Sequence, residues 1–186
     1  MTAGIGRAVA IGRRVFLRAP TARDREEFLR QVKASRALHR PWVHPPGDRL
    51  SYAGYLKAAR SGRHLRYLVC LKPGGEIAGV VNISEIVRGV FQSGYLGFYA
   101  FASHAGKGYM TEGLELVIKH AMKDLGLHRL EANVQPTNRR SLALVRRCGF
   151  QREGLSPSYL KIAGRWRDHE RWAILATGRR RGGARR

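Results

Sequence analysis

Two glycines and a lysine stand where a chain can hold an anion. Gly106 and Gly108 flank Lys107, between an aromatic run at 95–101 and an apolar stripe at Leu114, Val117, Ile118, Ala121, Met122 and Leu125. The run reads as a buried strand and the stripe as a helix, with Gly126 placed as its C′ residue. The first turn of a helix carries backbone N–H groups without partners and the positive end of the helix dipole, and residues without a Cβ let a phosphate come close to them. Strand, glycine turn and helix start therefore suit phosphate binding, and Lys107 adds a cation there. The turn fits neither common phosphate loop in full. Gly108 follows Lys107 where a Walker loop needs Ser or Thr, and Thr111 stands where the dinucleotide pattern has its third glycine. A tight strand-to-helix connection is the other reading of the same residues.

A second group follows within 30 residues. Leu130, Ala132 and Val134 alternate with Glu131, Asn133 and Gln135, which describes a strand with one polar face. Pro136 ends it, and Asn138 or Ser141 can cap a short helix that runs to Cys148. Cys148 shares an apolar stripe with Leu142 and Val145, so packing is its expected role. Two carboxylates could move a proton. Glu131 lies on the polar face, close before Asn138. Glu85 shares parity with Val81 and Ile83, and burial on that apolar face would raise its pKa towards the working range of a base. Either one could equally be an ordinary ion pair in a chain of formal net charge +22.

Together the two stretches resemble the GNAT N-acetyltransferase family. The family's acyl-CoA loop, Arg/Gln-x-x-Gly-x-Gly/Ala, falls on Ala105, Gly106, Lys107, Gly108, Tyr109 and Met110, with Ala105 in place of the Arg or Gln and Met110 in place of the small residue. The family's Asn-x-x-Ser pair and Gly-Phe ending fall on Asn138, Ser141, Gly149 and Phe150. Arg40-Pro-Trp42, Val80-Val-Asn82, Gly106-Lys-Gly108, Tyr159-Leu160 and Trp166-Arg-Asp-His169 look like the ribosomal-protein alanine N-acetyltransferases of RimJ and RimL type. That likeness runs from about Val15 to Leu175.

The resemblance implies an α/β (α+β) acetyltransferase fold. Its central mixed, mostly antiparallel sheet would have about seven strands flanked by four helices and would splay between the fourth and fifth strands. It implies acetyl-CoA as cofactor, with the pantetheine arm lying in the splay and the acetyl group near Phe98, Tyr99, Ala100 and Phe101, where a backbone N–H would polarise the carbonyl. The phosphates would sit on residues 105–110 and Thr111, with Asn138 and Ser141 completing the cradle. Acetyl transfer to an amine needs a proton acceptor, a polarised carbonyl and a protonated leaving thiolate, and no covalent enzyme intermediate. The base is Glu131, Glu85 or a water chain. Many members place a Tyr donor four residues before the Gly of Gly-Phe, but that position is Val145 here, so Ser141, and next Tyr159, are the candidates. Trp42, in a proline-rich loop, and Tyr159 are expected at the acceptor site. The acceptor would be the N-terminal α-amine of a ribosomal protein. A small cationic amine such as a polyamine or aminoglycoside is an alternative, as is an inactive ribosome- or RNA-binding protein on the same fold.

The elements around these residues follow from local signals. Residues 15–18, 66–71, 76–87, 93–101, 151–162 and 166–176 read as further strands. Thr21 and Asp24 start a first helix, and Asp48 or Ser51 starts a second that Gly62 ends. At 186 residues the chain fits one domain, at 14–177, between a flexible N-terminus at 1–13 and a basic disordered tail at 178–186. Cys70 and Cys148 have no metal spacing and imply no disulfide framework, and His39 and His44 share a loop without the other ligands of a zinc site, so no metal is expected. No apolar h-region opens the chain, and no apolar run approaches the ~20 residues of a membrane span, so a cytoplasmic monomer or dimer without membrane contact is expected. The charge favours polyanions. The tail carries five arginines and no acid, and phosphate contacts release counterions. Deleting residues 179–186 is therefore expected to flatten the salt dependence of ribosome or RNA binding and to leave kcat unchanged. A fall in kcat on deletion would refute the boundary.

Overall fold

A sheet edge forms before the first expected strand. In the computed structural model, which describes residues 8–176, β1 (Ala10–Ile11) pairs antiparallel with β2 (Val15–Arg18). Val9 N–H donates to the Leu17 carbonyl at 2.7 Å and Gly12 N–H to the Val15 carbonyl at 2.8 Å. The expected loose N-terminus through residue 13 is thus corrected for residues 8–13. Two residues of strand are too few for any periodicity to show in a sequence. The tail at 178–186 lies outside the described residues.

Carboxylates order the chain at two of the helix starts. The Asp24 carboxylate accepts from Thr21 N–H at 2.6 Å, ahead of α1 (Arg25–Ala34), and also binds Arg18 at 2.6 and 2.9 Å. Burial works against that carboxylate, but the bonds from Arg18 and Thr21 outweigh it and hold its pKa below the ordinary value. A one-turn α2 (Arg36–His39) follows within the stretch expected to be loop, and then α3 (Arg49–Ala58), whose cap is Asp48 accepting from Ser51 N–H at 2.8 Å. The remaining elements are β3 (Leu65–Leu71), β4 (Ile77–Val87), β5 (Ser93–Ala100), α4 (Tyr109–Lys123), β6 (Arg129–Val134), α5 (Arg139–Arg147), β7 (Gln151–Ile162) and β8 (Arg165–Leu175).

The eight strands form one sheet in the order β1-β2-β3-β4-β5-β6-β8-β7. Every neighbouring pair is antiparallel except β5–β6, which is parallel. The mixed, mostly antiparallel sheet agrees with expectation. Among the described residues, β1 makes it eight-stranded rather than about seven-stranded, and α2 makes five helices rather than four. Both faces of the centre are covered. Val15, Leu17, Val69, Val81 and Ile83 pack with Leu114, Val117 and Ala121 of α4 and Val145 of α5. Phe16, Leu68, Cys70 and Val80 pack on the other face with Phe28 of α1 and Tyr52 of α3. Alternate residues of β2–β4 thus enter two different cores, which is why these strands read as nearly continuous apolar runs.

Gly79 marks the tightest approach in this packing. A Cβ there would press on Met110 Sδ and lie 2.6 Å from the Tyr99 carbonyl oxygen. Backbone cannot retreat as a side chain can, so Gly79→Ala should cost about 1–3 kcal/mol. At ~2–4 °C per kcal/mol for a domain of this size, Tm should fall by several degrees, and calorimetry would read this directly. An unchanged Tm would show that the strands can move apart at this point.

Candidate active site

The parallel pair is where the sheet opens. β5 and β6 stay paired from Ser93–Arg129 to Leu96–Ala132 and no further. The Gln92 carbonyl accepts from His128 and Arg129 N–H at 2.7 and 3.2 Å, whereas Phe101 N–H donates to the Ala78 carbonyl beside β4 at 2.9 Å. Backbone groups alternate along a strand, so even-numbered residues of β5 present theirs to β6 and odd-numbered ones to β4. Phe98 and Ala100 therefore face the gap left by β6, where an extended chain could pair with them. Tyr99, opposite Val80, belongs to the β4 ladder, and the Phe101 N–H is engaged. The expectation of a free N–H within 98–101 thus narrows to Phe98 and Ala100. His39 Nε2 donates to the Ala100 carbonyl at 2.8 Å, leaving the Ala100 N–H.

One end of the gap meets the glycine turn. Gly106 and Gly108 have φ of +77° and +79°, a left-handed conformation that suits glycine. Gly108 is the N-cap of α4, no side chain caps this end, and the first helical bond is Glu112 N–H to the Gly108 carbonyl at 3.3 Å. The N–H groups of Tyr109, Met110 and Thr111 are thus left for a ligand. Lys107 donates through Nζ to the Ser103 carbonyl at 3.0 Å. Ala105 follows a short 3₁₀ turn (Ala102–His104) and is extended. The sequence held no signal for what fixes this turn. Arg14 donates to the Lys107 carbonyl at 3.1 Å and to Glu112 Oε2 at 3.1 Å, while Glu112 Oε1 accepts from the backbone N–H of Arg14 and Val15 at 2.7 and 3.2 Å. Burial opposes the Glu112 carboxylate, but these bonds hold its pKa below the ordinary value. The Arg14 guanidinium also lies over the Tyr109 ring, 5.1 Å from its centroid. A cleft beside the helix start is lined by Arg13, Arg14, Gly108, Thr111 and Arg147, together with the carboxylates Glu112 and Glu115. Glu112 is already paired with Arg14, which leaves Arg13, Arg147 and the helix N-terminus as the groups here that suit an anion.

Across the gap, Asn138 caps α5, its Oδ1 accepting from Ser141 N–H at 3.2 Å. Cys148 is buried, and burial pushes its thiol up to about 11, which suits packing and not nucleophilic attack.

On the sheet face opposite α4, Glu131 stands beside Tyr95 in register, at the last turns of pairing. Arg129 donates to Glu131 Oε1 at 2.8 Å and to Glu153 Oε1 at 2.9 Å. The Tyr95 phenol is pushed up by burial first, and then by Glu131 and Tyr159 beside it, so it stays protonated. The Tyr159 ring lies 6.3 Å from that of His169, which is buried and bonded through Nδ1 to the Arg167 carbonyl at 2.9 Å. The fold therefore brings Glu131 and Tyr159 together. It does not bring Glu85. A β-bulge between Ser84 and Val87 turns Glu85 out of the apolar face at φ +49°, where its half-exposed carboxylate binds Arg63 at 2.6 Å. The expected buried setting is corrected, because the bulge breaks the parity on which it rested. Trp42 is half-buried, and its backbone N–H donates to the His39 carbonyl at 2.8 Å. Through the His39–Ala100 bond its loop is held at the end of β5.

His39 and Asn133 went unread as site residues. Five buried side-chain polar atoms have no partner among the described residues, and three of them are His39 Nδ1, Tyr99 OH and Asn133 Oδ1, on residues around the gap. Folded chains pair nearly all such atoms, and a ligand or water in the gap could supply the missing partners. No described group of three His, Cys, Asp or Glu is placed to hold a metal.

Comparison with known proteins agrees with this geometry. Residues 14–151 match the acetyltransferase (GNAT) domain. The chain is 33% identical over 129 residues to the probable N-acetyltransferase YjcK of Bacillus subtilis, covering 69% of this chain and 71% of that protein. It is 45% identical over 94 residues to the ribosomal protein uS5-alanine N-acetyltransferase of Escherichia coli, a match that spans 50% of this chain and 48% of that enzyme. Among solved structures, Mycobacterium smegmatis RimJ in complex with CoA-disulfide superposes with a TM-score of 0.80 at 30% identity, covering 91% of this chain and 84% of that one.

Burial lowers the pKa of both His39 and His169. A depressed folded pKa means that the unfolded chain takes up protons first. The stability these residues contribute is complete above the unfolded value near ~6.5 and is lost as pH falls below it. The urea midpoint should therefore drop between about pH 7 and pH 5, and His39→Gln should flatten that slope. An unchanged slope in the variant would show that His39 is not the group responsible.

Proposed function

The chain belongs to the GNAT acetyltransferase family, and we propose that it acetylates the N-terminal α-amine of a protein, a ribosomal protein with alanine first. The observation that carries this reading is the parting of β5 and β6 beside the open N–H groups of α4. The likeness to the uS5-alanine enzyme and to RimJ supports the acceptor class.

Acetyl-CoA fits the residues present. Its pyrophosphate matches the N–H groups of Tyr109, Met110 and Thr111, and Arg13 and Arg147 supply charge nearby. A Cβ at Gly108 would sit 3.2 Å from Arg14 Nη2, so the glycine keeps this approach clear. The Phe98 and Ala100 backbone suits the amides of pantetheine, with Asn138 and Ser141 on the far side. When bound, acetyl-CoA supplies an activated thioester. The Ala100 or Phe98 N–H is then available to polarise its carbonyl, a donor that needs no reorganisation because the strand holds it. Glu131, fixed by Arg129, takes the amine's proton directly or through water. The α-amine asks little of it, with a pKa near ~8 against ~10.4 for lysine. Ser141, at the start of α5, donates to the leaving thiolate. Tyr159 stands instead with Tyr95 and Glu131, on the acceptor side.

The surface charge suits work on or near the ribosome. Arg139, Arg140, Arg146 and Arg147 are all exposed on α5. A polycationic small acceptor is less well served, since Glu131 and Glu153 already share Arg129.

The test is CoA release from acetyl-CoA with a panel of N-terminal peptides and polyamines. Ala-initiated peptides should be turned over and polyamines should not. Glu131→Gln should lower kcat by about 10²–10⁴-fold and remove the acidic limb of the pH–rate profile. Ser141→Ala should lower kcat at near-constant peptide KM. Wild-type kcat with an intact acidic limb in Glu131→Gln would exclude Glu131 as the base, and exclusive use of polyamines would exclude the acceptor.

A further inference from the structure

Gly97 is the residue at which the sheet opens, one step beyond the last β5–β6 pair, Leu96–Ala132. It is exposed, it does not need a left-handed backbone, and a Cβ built on it meets nothing within 4 Å. Nothing in the fold therefore requires glycine here. A glycine inside a strand weakens it and often marks the close approach of a ligand or another chain. The same-face neighbours are all larger. Tyr95 and Tyr99 flank it along β5, and Asn82 is opposite on β4. The result is a depression one side chain wide, bounded by two tyrosines.

Its rim carries polar groups in need of partners. Asn133, the residue after Ala132, has a buried Oδ1 with no hydrogen bond among the described residues, as does the Tyr99 hydroxyl. The Tyr55 hydroxyl donates to Asn82 Oδ1 at 2.8 Å, which leaves the Asn82 amide N–H groups as its remaining donors. Glu131 lies on this same face, beside Tyr95. Acceptors for an ammonium stand on one side and a donor for a carbonyl on the other. That is the polarity of the first residue of a peptide. The residues packed with α4, among them Leu96 and Phe98, lie on the opposite face, so the acyl donor and the peptide reach the gap from different sides.

We infer that Gly97 is the floor of the subsite for the acceptor's first residue. The missing side chain admits the α-amine with a small first residue, Gly, Ala or Ser. Tyr95 and Tyr99 exclude larger ones. This rests on the proposed peptide acetylation and assigns the residue that sets its selectivity.

Gly97→Ala and Gly97→Val test it, because both fit an extended strand with open space above it. Three readouts are needed: kcat/KM for Ala-, Ser- and Leu-initiated peptides, Kd for CoA, and Tm. Adding a methyl to a close-fitting site shifts discrimination by about 10–200-fold. Gly97→Ala should thus lower kcat/KM for the Ala peptide at least about 10-fold, and Gly97→Val about 100-fold or more, with CoA affinity unchanged and Tm unchanged or raised. The wild type should prefer the Ala and Ser peptides to the Leu peptide. Wild-type kcat/KM in both variants would overturn the inference, as would a parallel loss of CoA affinity, while leaving peptide acetylation intact. A wild type that uses polyamines and no peptide would remove both readings together.

Discussion

Two parallel strands that stop pairing partway leave backbone donors and acceptors with nothing to bond, and that is costly unless water or a ligand takes their place. In this chain the cost falls on Phe98 and Ala100, at the end of β5, once β6 has turned away after Ala132. Everything else at the site serves to hold that opening. His39 takes the Ala100 carbonyl from one side. On the other, α4 begins at Gly108 with its first N–H groups unpaired. A gap in a sheet next to the positive end of a helix is a place for an extended molecule with an anionic end, and acetyl-CoA has that form.

The opening survives because its edges are stiff. Arg14 and Glu112 tie the start of β2 to the start of α4 through four hydrogen bonds, one of them to the Lys107 carbonyl inside the glycine turn. Partly buried ion pairs of this kind stabilise only when the geometry satisfies each group, and here the carboxylate meets two backbone N–H groups as well as the guanidinium. The turn can then leave its own N–H groups unpaired without collapsing onto them. The Arg129 bridge to Glu131 and Glu153 plays a similar part across the sheet, holding the Glu131 carboxylate in place beside Tyr95.

The chain's periodicities carried most of the fold. Alternation gave β6, the i, i+3, i+4 stripe gave α4, and the caps at Thr21, Asp48 and Asn138 began helices where expected, because each depends on neighbours within a few residues. The glycine turn before α4 was legible for the same reason, and the likeness of its residues to an acetyltransferase loop pointed to the family. The misreadings came where local rules break. β1 is too short to have a period, α2 is a single turn, and Glu85 leaves the apolar face because a bulge shifts the parity of β4.

What the sequence by itself determined is therefore the kind of protein: a mixed sheet with helices on both faces, a glycine turn that opens a helix, and a strand with a carboxylate on its polar face. Only the tertiary structure decided which groups meet. Arg14 and Glu112 are 98 residues apart, His39 and Ala100 are 61 apart, and Gly97 reads as a mere weak spot in a strand until β6 is seen to part beside it. Contacts of that span are set by how the two cores close around the sheet, and no spacing rule along the chain reports it. The selectivity we infer for Gly97 belongs to this second class, since it rests on space left empty, and an absent side chain has meaning only when its surroundings are known.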